Sequence, residues 1–231
     1  MKTALVTGAS AGLGRALAYA LAQDGWRLII DARGANALRD LATDLAHMTD
    51  TVAVAGDVTD PVHRAHLVAT VGDGGLDLLV HNASTLGPSG LHPLGQLSVA
   101  DLRHILETNV VAPAALTAAL LPALLRAHAQ VVTISSDAAV EHYETWGGYG
   151  ASKAAADHVA LTFAGEHPEL TAYAIDPGDM RTAMHQRAFP GQDISDRPLP
   201  ETVVAPILEL LARRPPSGRY RLADLLAGVP E

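Results

Sequence analysis

Tyr149 and Lys153 stand four residues apart in Gly147-Gly148-Tyr149-Gly150-Ala151-Ser152-Lys153. Positions i and i+4 share one face of a helix, so this spacing lets a phenol and an ammonium meet. A free tyrosine has a pKa of about 10 and is a poor proton donor or acceptor at neutral pH. A fixed cation beside it favours the phenolate and lowers that value. A tyrosine tuned in this way can pass a proton to or from a carbonyl or alcohol oxygen. Lysine is scarce here: it occurs only as Lys2 and Lys153, while arginine is used freely. Alone, Tyr-x-x-x-Lys is also an ordinary surface pattern, so its meaning depends on the elements around it.

Those elements alternate. Short apolar runs at 4–7, 27–31, 52–55, 76–81, 130–135 and 171–175 read as strands buried on both faces. Between them lie helical segments at 12–23, 35–47, 61–71, 99–126 and 149–165, with a last helix near 201–213 and a short strand near 219–222. Such alternation predicts an α/β fold, an open parallel sheet with helices on both faces. Ligands of these sheets bind at the carboxyl ends of the strands. The segment 184–200, rich in Pro, Gly and Asp, is the longest loop candidate and is expected to act as a substrate loop.

Chemistry follows several strands. After the first comes Thr7-Gly8-Ala9-Ser10-Ala11-Gly12-Leu13-Gly14, then an alanine-rich helix. Glycines there let the backbone approach a pyrophosphate, which free N–H groups at a helix N-terminus stabilise. The second strand ends in Asp31-Ala32-Arg33. An acid at this place binds a ribose 2′-hydroxyl and selects NAD, while a base pairs with a 2′-phosphate and selects NADP. Asp31 and Ala32 point to opposite faces, and Arg33 tips the expectation to NADP(H), with NAD(H) possible. The third strand runs into Gly56-Asp57-Val58. Asp57 is a candidate acceptor for the adenine amine or the start of the turn before Pro61, where Thr59 or Asp60 is a plausible N-cap.

Composition limits the function classes. The 231 residues fit one domain and can bury roughly 70–75% of the unfolded surface. A net charge of −9 argues against a nucleic-acid binder. The absence of cysteine excludes disulfides, thiolate metal sites and cysteine nucleophiles, and makes a cytoplasmic location the simplest reading. Consecutive apolar residues fall short of the ~20 that span a bilayer. The first residues break at Gly8, too early for a signal peptide, and read as a buried strand. The eleven histidines include no zinc spacing; His63 and His66 read as surface residues.

Together these residues resemble the short-chain dehydrogenases/reductases, in their shorter single-domain branch. The match covers nearly the whole chain, residues 1–231. Thr7-Gly8-x-x-x-Gly12-x-Gly14 has that branch's glycine spacing. Asn82-Ala83 resembles the family's Asn-Asn-Ala-Gly. Asn109 falls where the family keeps a helix asparagine, Ser136 lies thirteen residues before Tyr149, and Pro177-Gly178 with Thr182 resembles the segment beside the nicotinamide. The resemblance implies a Rossmann fold with a doubly wound, mostly parallel seven-stranded sheet. It implies Tyr149 as general acid/base and Lys153 as its tuning partner and ligand of the nicotinamide ribose. It further implies Ser136 orienting the substrate oxygen, Asn109 holding a relay water, and Thr182 with the backbone near Met180 holding the carboxamide. Two residues depart from the pattern: His81 replaces an asparagine and Ser84 a glycine.

The implied activity is interconversion of a carbonyl and a secondary alcohol on a small molecule, by a homodimer or homotetramer paired through the helices at 99–126 and from Tyr149 onward. Two other readings keep the cofactor: a non-catalytic sensor or scaffold, and an epimerase or dehydratase. His142, His185, Tyr143 and Trp146 are candidates to touch substrate, and Asp137 to make the pocket polar. Asp176, before Pro177, reads as a turn residue.

Overall fold

Seven strands hydrogen-bond into one sheet whose order sets the position of everything else. The computed structural model describes residues 1–227. β1 (Thr3–Val6), β2 (Arg27–Ala32), β3 (Thr51–Ala55), β4 (Leu78–His81), β5 (Gln130–Ile134), β6 (Thr171–Asp176) and β7 (Gly218–Arg221) lie in the order β3-β2-β1-β4-β5-β6-β7. Every neighbouring pair is parallel. From β1 the chain winds outward to β3, then returns to β4 and winds the other way. Between β1 and β4 the order reverses, and a crevice opens at the carboxyl ends there.

The central strands are largely apolar and buried because helices cover both faces. On one face Val6, Leu28, Ile30, Val80 and Val132 pack with α1 (Gly12–Gln23), α2 (Ala35–Leu45) and α8 (Val204–Arg213). On the other, Leu5, Ile29, Leu79 and Val131 pack with α3 (Pro61–Val71) and α5 (Ala112–Arg126). Neighbours such as Leu5 and Val6 thus serve opposite layers, as side-chain alternation along a strand requires.

α4 (Val99–Leu106) runs into α5 through a π-helical turn, Glu107–Val111. The continuous helix Val99–Arg126 is long and apolar enough to cross a membrane by composition alone. Charged Asp101, Arg103 and Glu107 interrupt its start, and Leu116, Leu120 and Leu124 are buried against the sheet. It is a core helix of the α/β layer. α6 (Gly147–Glu166) lies against β5, β6 and the π-turn. The expected loop at 184–200 is partly helical: Thr182 caps α7 (Ala183–Ala188) by accepting from the His185 N–H. After α8 and β7 comes α9 (Leu222–Ala227).

Candidate active site

A cleft of about 840 Å3 opens over the carboxyl ends of β1, β2, β4, β5 and β6. All the candidate site residues line it except Gly14 and Asn109, which lie just behind. Residues scattered from position 8 to position 182 therefore converge on one concavity.

At its centre is the glycine turn. Gly8 and Gly12 have φ of 64° and 54°, values that disfavour a side chain. A Cβ on Gly8 would come within 2.9 Å of Ala83 Cα, and one on Gly14 would run into the Gly8 carbonyl and the Asn82 amide. Asn82 supports the turn from the end of β4, its Nδ2 donating to the carbonyls of Thr7 and Gly8, both at 3.0 Å. Ala11, at the N-cap of α1, has no side chain to satisfy the first helical N–H groups. They remain free to bind an anion, so the turn fits a dinucleotide pyrophosphate. Thr182 closes in from across the cleft, close enough that a Cβ on Gly12 would lie 3.4 Å from its methyl.

At one end Tyr149, Lys153 and Ser136 gather. The first turns of α6 bury Tyr149 and Lys153, and the Lys153 Nζ sits 5.5 Å from the Tyr149 ring centroid. The same Nζ donates to the Ile134 carbonyl at 2.8 Å. Burial dominates both groups. It pushes the phenol well above its ordinary range, opposed by hydrogen bonding to Ser136 and Ser84. It pulls Lys153 down to about 8, with Asp157 opposing. The lowered tyrosine pKa expected from the i+4 cation is therefore not the state of this pocket: desolvation of a buried phenol outweighs a cation beyond hydrogen-bond reach. Ser136, at the end of β5, donates to Asp137 Oδ1 at 3.0 Å, and Tyr143 donates to Asp137 Oδ2 at 2.8 Å.

Asn109 sits in the π-turn, a local widening frequent at functional sites. Its amide is fully engaged. Nδ2 donates to Thr85 O at 3.0 Å and Ser152 Oγ at 2.9 Å, while Oδ1 accepts from Thr85 N and Ser84 Oγ. The two departures find partners: Ser84 meets Asn109, and buried His81 pairs through Nε2 with Thr117 Oγ1 at 2.8 Å. Burial holds His81 down at about 4, so it is neutral near pH 7.

Aromatic residues close this end from above. Trp146 packs edge-on to Tyr149 at 5.6 Å, and Phe189 lies 6.0 Å from Trp146 and 4.8 Å from His185. Of the residues offered as substrate contacts, Tyr143, Trp146 and His185 line the cleft and His142 does not.

The other end is charged. Arg33 is largely exposed, 3.9 Å from Asp57. Asp57 Oδ1 accepts from the Thr59 N–H and hydroxyl at 2.9 and 2.8 Å. Burial works to raise its pKa, and those hydrogen bonds outweigh it, leaving it lowered. Asp60, not Thr59, caps α3, accepting from Val62 N at 2.8 Å. The surface reading of His63 is overturned: its Nε2 lies 2.6 Å from Asp31 Oδ1, and the side chains are 5% and 1% exposed. The first turn of α3 packs under the end of β2, and that contact buries the ring.

Sequence reasoning also missed Arg219 on β7. It donates to the Ser136 carbonyl at 2.8 Å and contacts the carboxylates of Asp157 and Asp176, both at 3.3 Å. Ser135 donates to Asp157 at 2.7 Å. One cation thus ties the end of β5, α6 and the end of β6 together behind the cleft. Asp176 also forms the expected turn, accepting from Gly178 N at 3.1 Å. Only the i+4 spacing of Asp157 from Lys153 hinted at this network.

Known proteins share this fold. The family model described as short chain dehydrogenase matches residues 2–193. An uncharacterised oxidoreductase of Saccharomyces cerevisiae is 32% identical over 187 residues, 79% of this chain and 72% of that protein. The alcohol dehydrogenase of Thermococcus sibiricus, solved with 5-hydroxy-NADP, superposes with a TM-score of 0.86 at 27% identity, covering 96% of this chain and 95% of that one. A short-chain dehydrogenase of Shigella flexneri complexed with NADP gives 0.87 at 28% identity over 96% and 97%.

Proposed function

The chain belongs to the short-chain dehydrogenase family, and from that premise we propose that it is an NADP(H)-dependent oxidoreductase interconverting a carbonyl and a secondary alcohol, with Tyr149 as general acid/base. One observation carries the proposal: Tyr149, Lys153 and Ser136 occupy one end of a cleft whose middle is the glycine cradle. The nicotinamide cofactor, when bound, supplies or accepts the hydride.

The chain's own residues supply orientation and proton transfer. Ser136 hydrogen-bonds the substrate oxygen and aims it at the Tyr149 hydroxyl. In reduction Tyr149 donates its proton to that oxygen, a step that the raised pKa of the buried phenol opposes and the nearby Lys153 ammonium favours. The Lys153 ammonium stabilises the phenolate left behind and holds the nicotinamide ribose. Asn109 has no amide valence to spare, so its contact with a relay water falls to the main chain of the π-turn. Gly8, Ser10, Gly12, Leu13 and Gly14 hold the pyrophosphate, with Asn82 and Ala83 beside them. Pro177, Gly178, Met180 and Thr182 hold the nicotinamide end; Asp57 and Val58 hold the adenine.

Arg33 supports the 2′-phosphate, and the Thermococcus and Shigella neighbours, described with NADP ligands, support the same choice. The segment 184–200 shapes the substrate pocket through Met184, His185 and Phe189. The whole chain serves as a single dinucleotide-binding and catalytic domain, acting on a small molecule in the cytoplasm as a homodimer or homotetramer.

The test is NADPH consumption followed by ultraviolet absorbance against a panel of ketones, aldehydes and quinones. Turnover with at least one carbonyl, absent in Tyr149→Phe, is the expected result. Full turnover in that variant would remove Tyr149 from the mechanism.

A further inference from the structure

The end of β2 buries a carboxylate at the adenosine end of the cleft. Asp31 Oδ1 is 2.6 Å from His63 Nε2. The imidazole fits there because residue 56 is glycine: a Cβ at Gly56 would overlap the ring. Positions 31, 56 and 63, on β2, the loop after β3 and the first turn of α3, are thus fitted to one another. The second oxygen, Asp31 Oδ2, is fully buried and has no hydrogen-bond partner among the described residues, yet Asp31 lines the cleft.

Two residues further on is Arg33, the candidate 2′-phosphate ligand. Of the other charged groups nearby, Asp57 lies 3.9 Å from Arg33, with His104 adding a weaker attraction to it, and Arg64 is turned to the Val58 carbonyl at 2.7 Å. Among the described residues, none of these side chains hydrogen-bonds or ion-pairs with Asp31, whereas His63 does; Asp57 adds like-charge repulsion and the Gly8 N–H a favourable backbone contact. A phosphate dianion is repelled by a nearby unscreened carboxylate, whereas a neutral ribose hydroxyl can donate to it. The hydrogen bond and close approach of His63 offset part of the desolvation cost of the buried carboxylate and weaken the repulsion it exerts.

Building on the NADP(H) reading, we propose that His63 is a positioning residue that sets cofactor preference: it holds and screens the Asp31 carboxylate so that the adenosine end of the cleft accepts a 2′-phosphate. His63 acts through Asp31 and does not itself touch the nucleotide. Its loss should therefore damage NADPH binding and spare NADH binding, a selectivity that a merely structural role would not produce.

Dissociation constants for NADPH and NADH, measured by calorimetry on the full chain, decide the matter. His63→Leu should weaken NADPH by about tenfold or more and NADH by less than about threefold. Adding Asp31→Asn to that variant should restore NADPH to within about threefold of wild type. Equal losses for both nucleotides, no loss for either, or failure of the double variant to recover would overturn the proposal. Should His63→Leu fail to fold, Asp31→Asn alone still decides. Screening by His63 predicts a preference within about threefold of wild type, while a tenfold rise in NADPH preference would mean that the charge was never screened. Wild type binding neither nucleotide would overturn the dinucleotide reading itself, and this inference with it. Wild type preferring NADH would overturn only the NADP choice, and the ratios among variants would still test His63.

Discussion

The two ends of the cleft are built on different principles. Around Tyr149 the groups that matter sit on one helix turn and just after the strand it covers, and they have ordinary partners: buried Lys153 a carbonyl, half-buried Ser136 the Asp137 carboxylate. Around Asp31 the groups come from β2, the loop after β3 and α3, and they mix an exposed cation with a buried acid–imidazole pair. The first end is local in sequence and tuned by burial. The second is assembled by tertiary contact and tuned by charge. Conserving a proton-transfer step needs only fixed spacing, whereas discriminating a phosphate from a hydroxyl needs charges drawn from several elements.

The hardest way to break the comparison is to remove the phenol. Tyr149→Phe should lower turnover by about 10³-fold or more, since it deletes the proton donor outright, and leave the NADPH dissociation constant within about threefold. Loss of nucleotide binding instead would mean that this end holds the cofactor rather than running the chemistry.

Burial tuning gives a second test, through stability. Lys153 is lowered to about 8 from 10.5. Between these values the unfolded chain binds more protons, so stability contributed by this group rises with pH there, and the cost of burying the ammonium is complete below about 8. Lys153→Met removes that cost and also the bond to Ile134. The variant should exceed wild type by about 2 kcal/mol near neutral pH, and the gap should close as pH rises to about 10.5. Urea unfolding at several pH values measures it, and a gap that widens with pH would contradict the burial account.

Much of this was legible beforehand. The strand runs, the glycine turn and the Tyr–Lys spacing are short-range patterns, and each fell where expected, with strand ends shifted by a residue or two. What was not legible depends on contacts far apart in the chain. His63 looked like a surface residue because its helix face is polar; only the packing of α3 under β2 buries it, against an acid 32 residues away. Arg219 sat on a short terminal strand with nothing local to mark it, and its partners lie 43 to 83 residues away. The phenol's pKa was misjudged for a similar reason: i+4 spacing states that a cation is near, not how much water is excluded.

The charged end offers a smaller break. Arg33→Gln should weaken NADPH by about tenfold, roughly 1.4 kcal/mol, and leave NADH nearly unchanged. Its exposed contact with Asp57 at 3.9 Å contributes little to stability, so unfolding should hardly move. A marked loss of stability would make Arg33 part of the fold rather than of the phosphate site.

The smallest effect separates support of that end from its selectivity. Asp60 caps α3 by accepting from Val62 N, and α3 carries His63 three residues later. Asp60→Ala should cost about 1 kcal/mol of stability through the lost cap. It leaves the Asp31–His63 contact in place, because Gly56 still vacates the space for the ring and Leu67 and Val71 still anchor the helix in the core. The ratio of NADPH to NADH affinity should therefore stay constant while the urea midpoint falls. If the ratio drops along with stability, the start of α3 is held by its cap rather than by its packing, and the Asp31–His63 contact beneath β2 is only as firm as that one hydrogen bond.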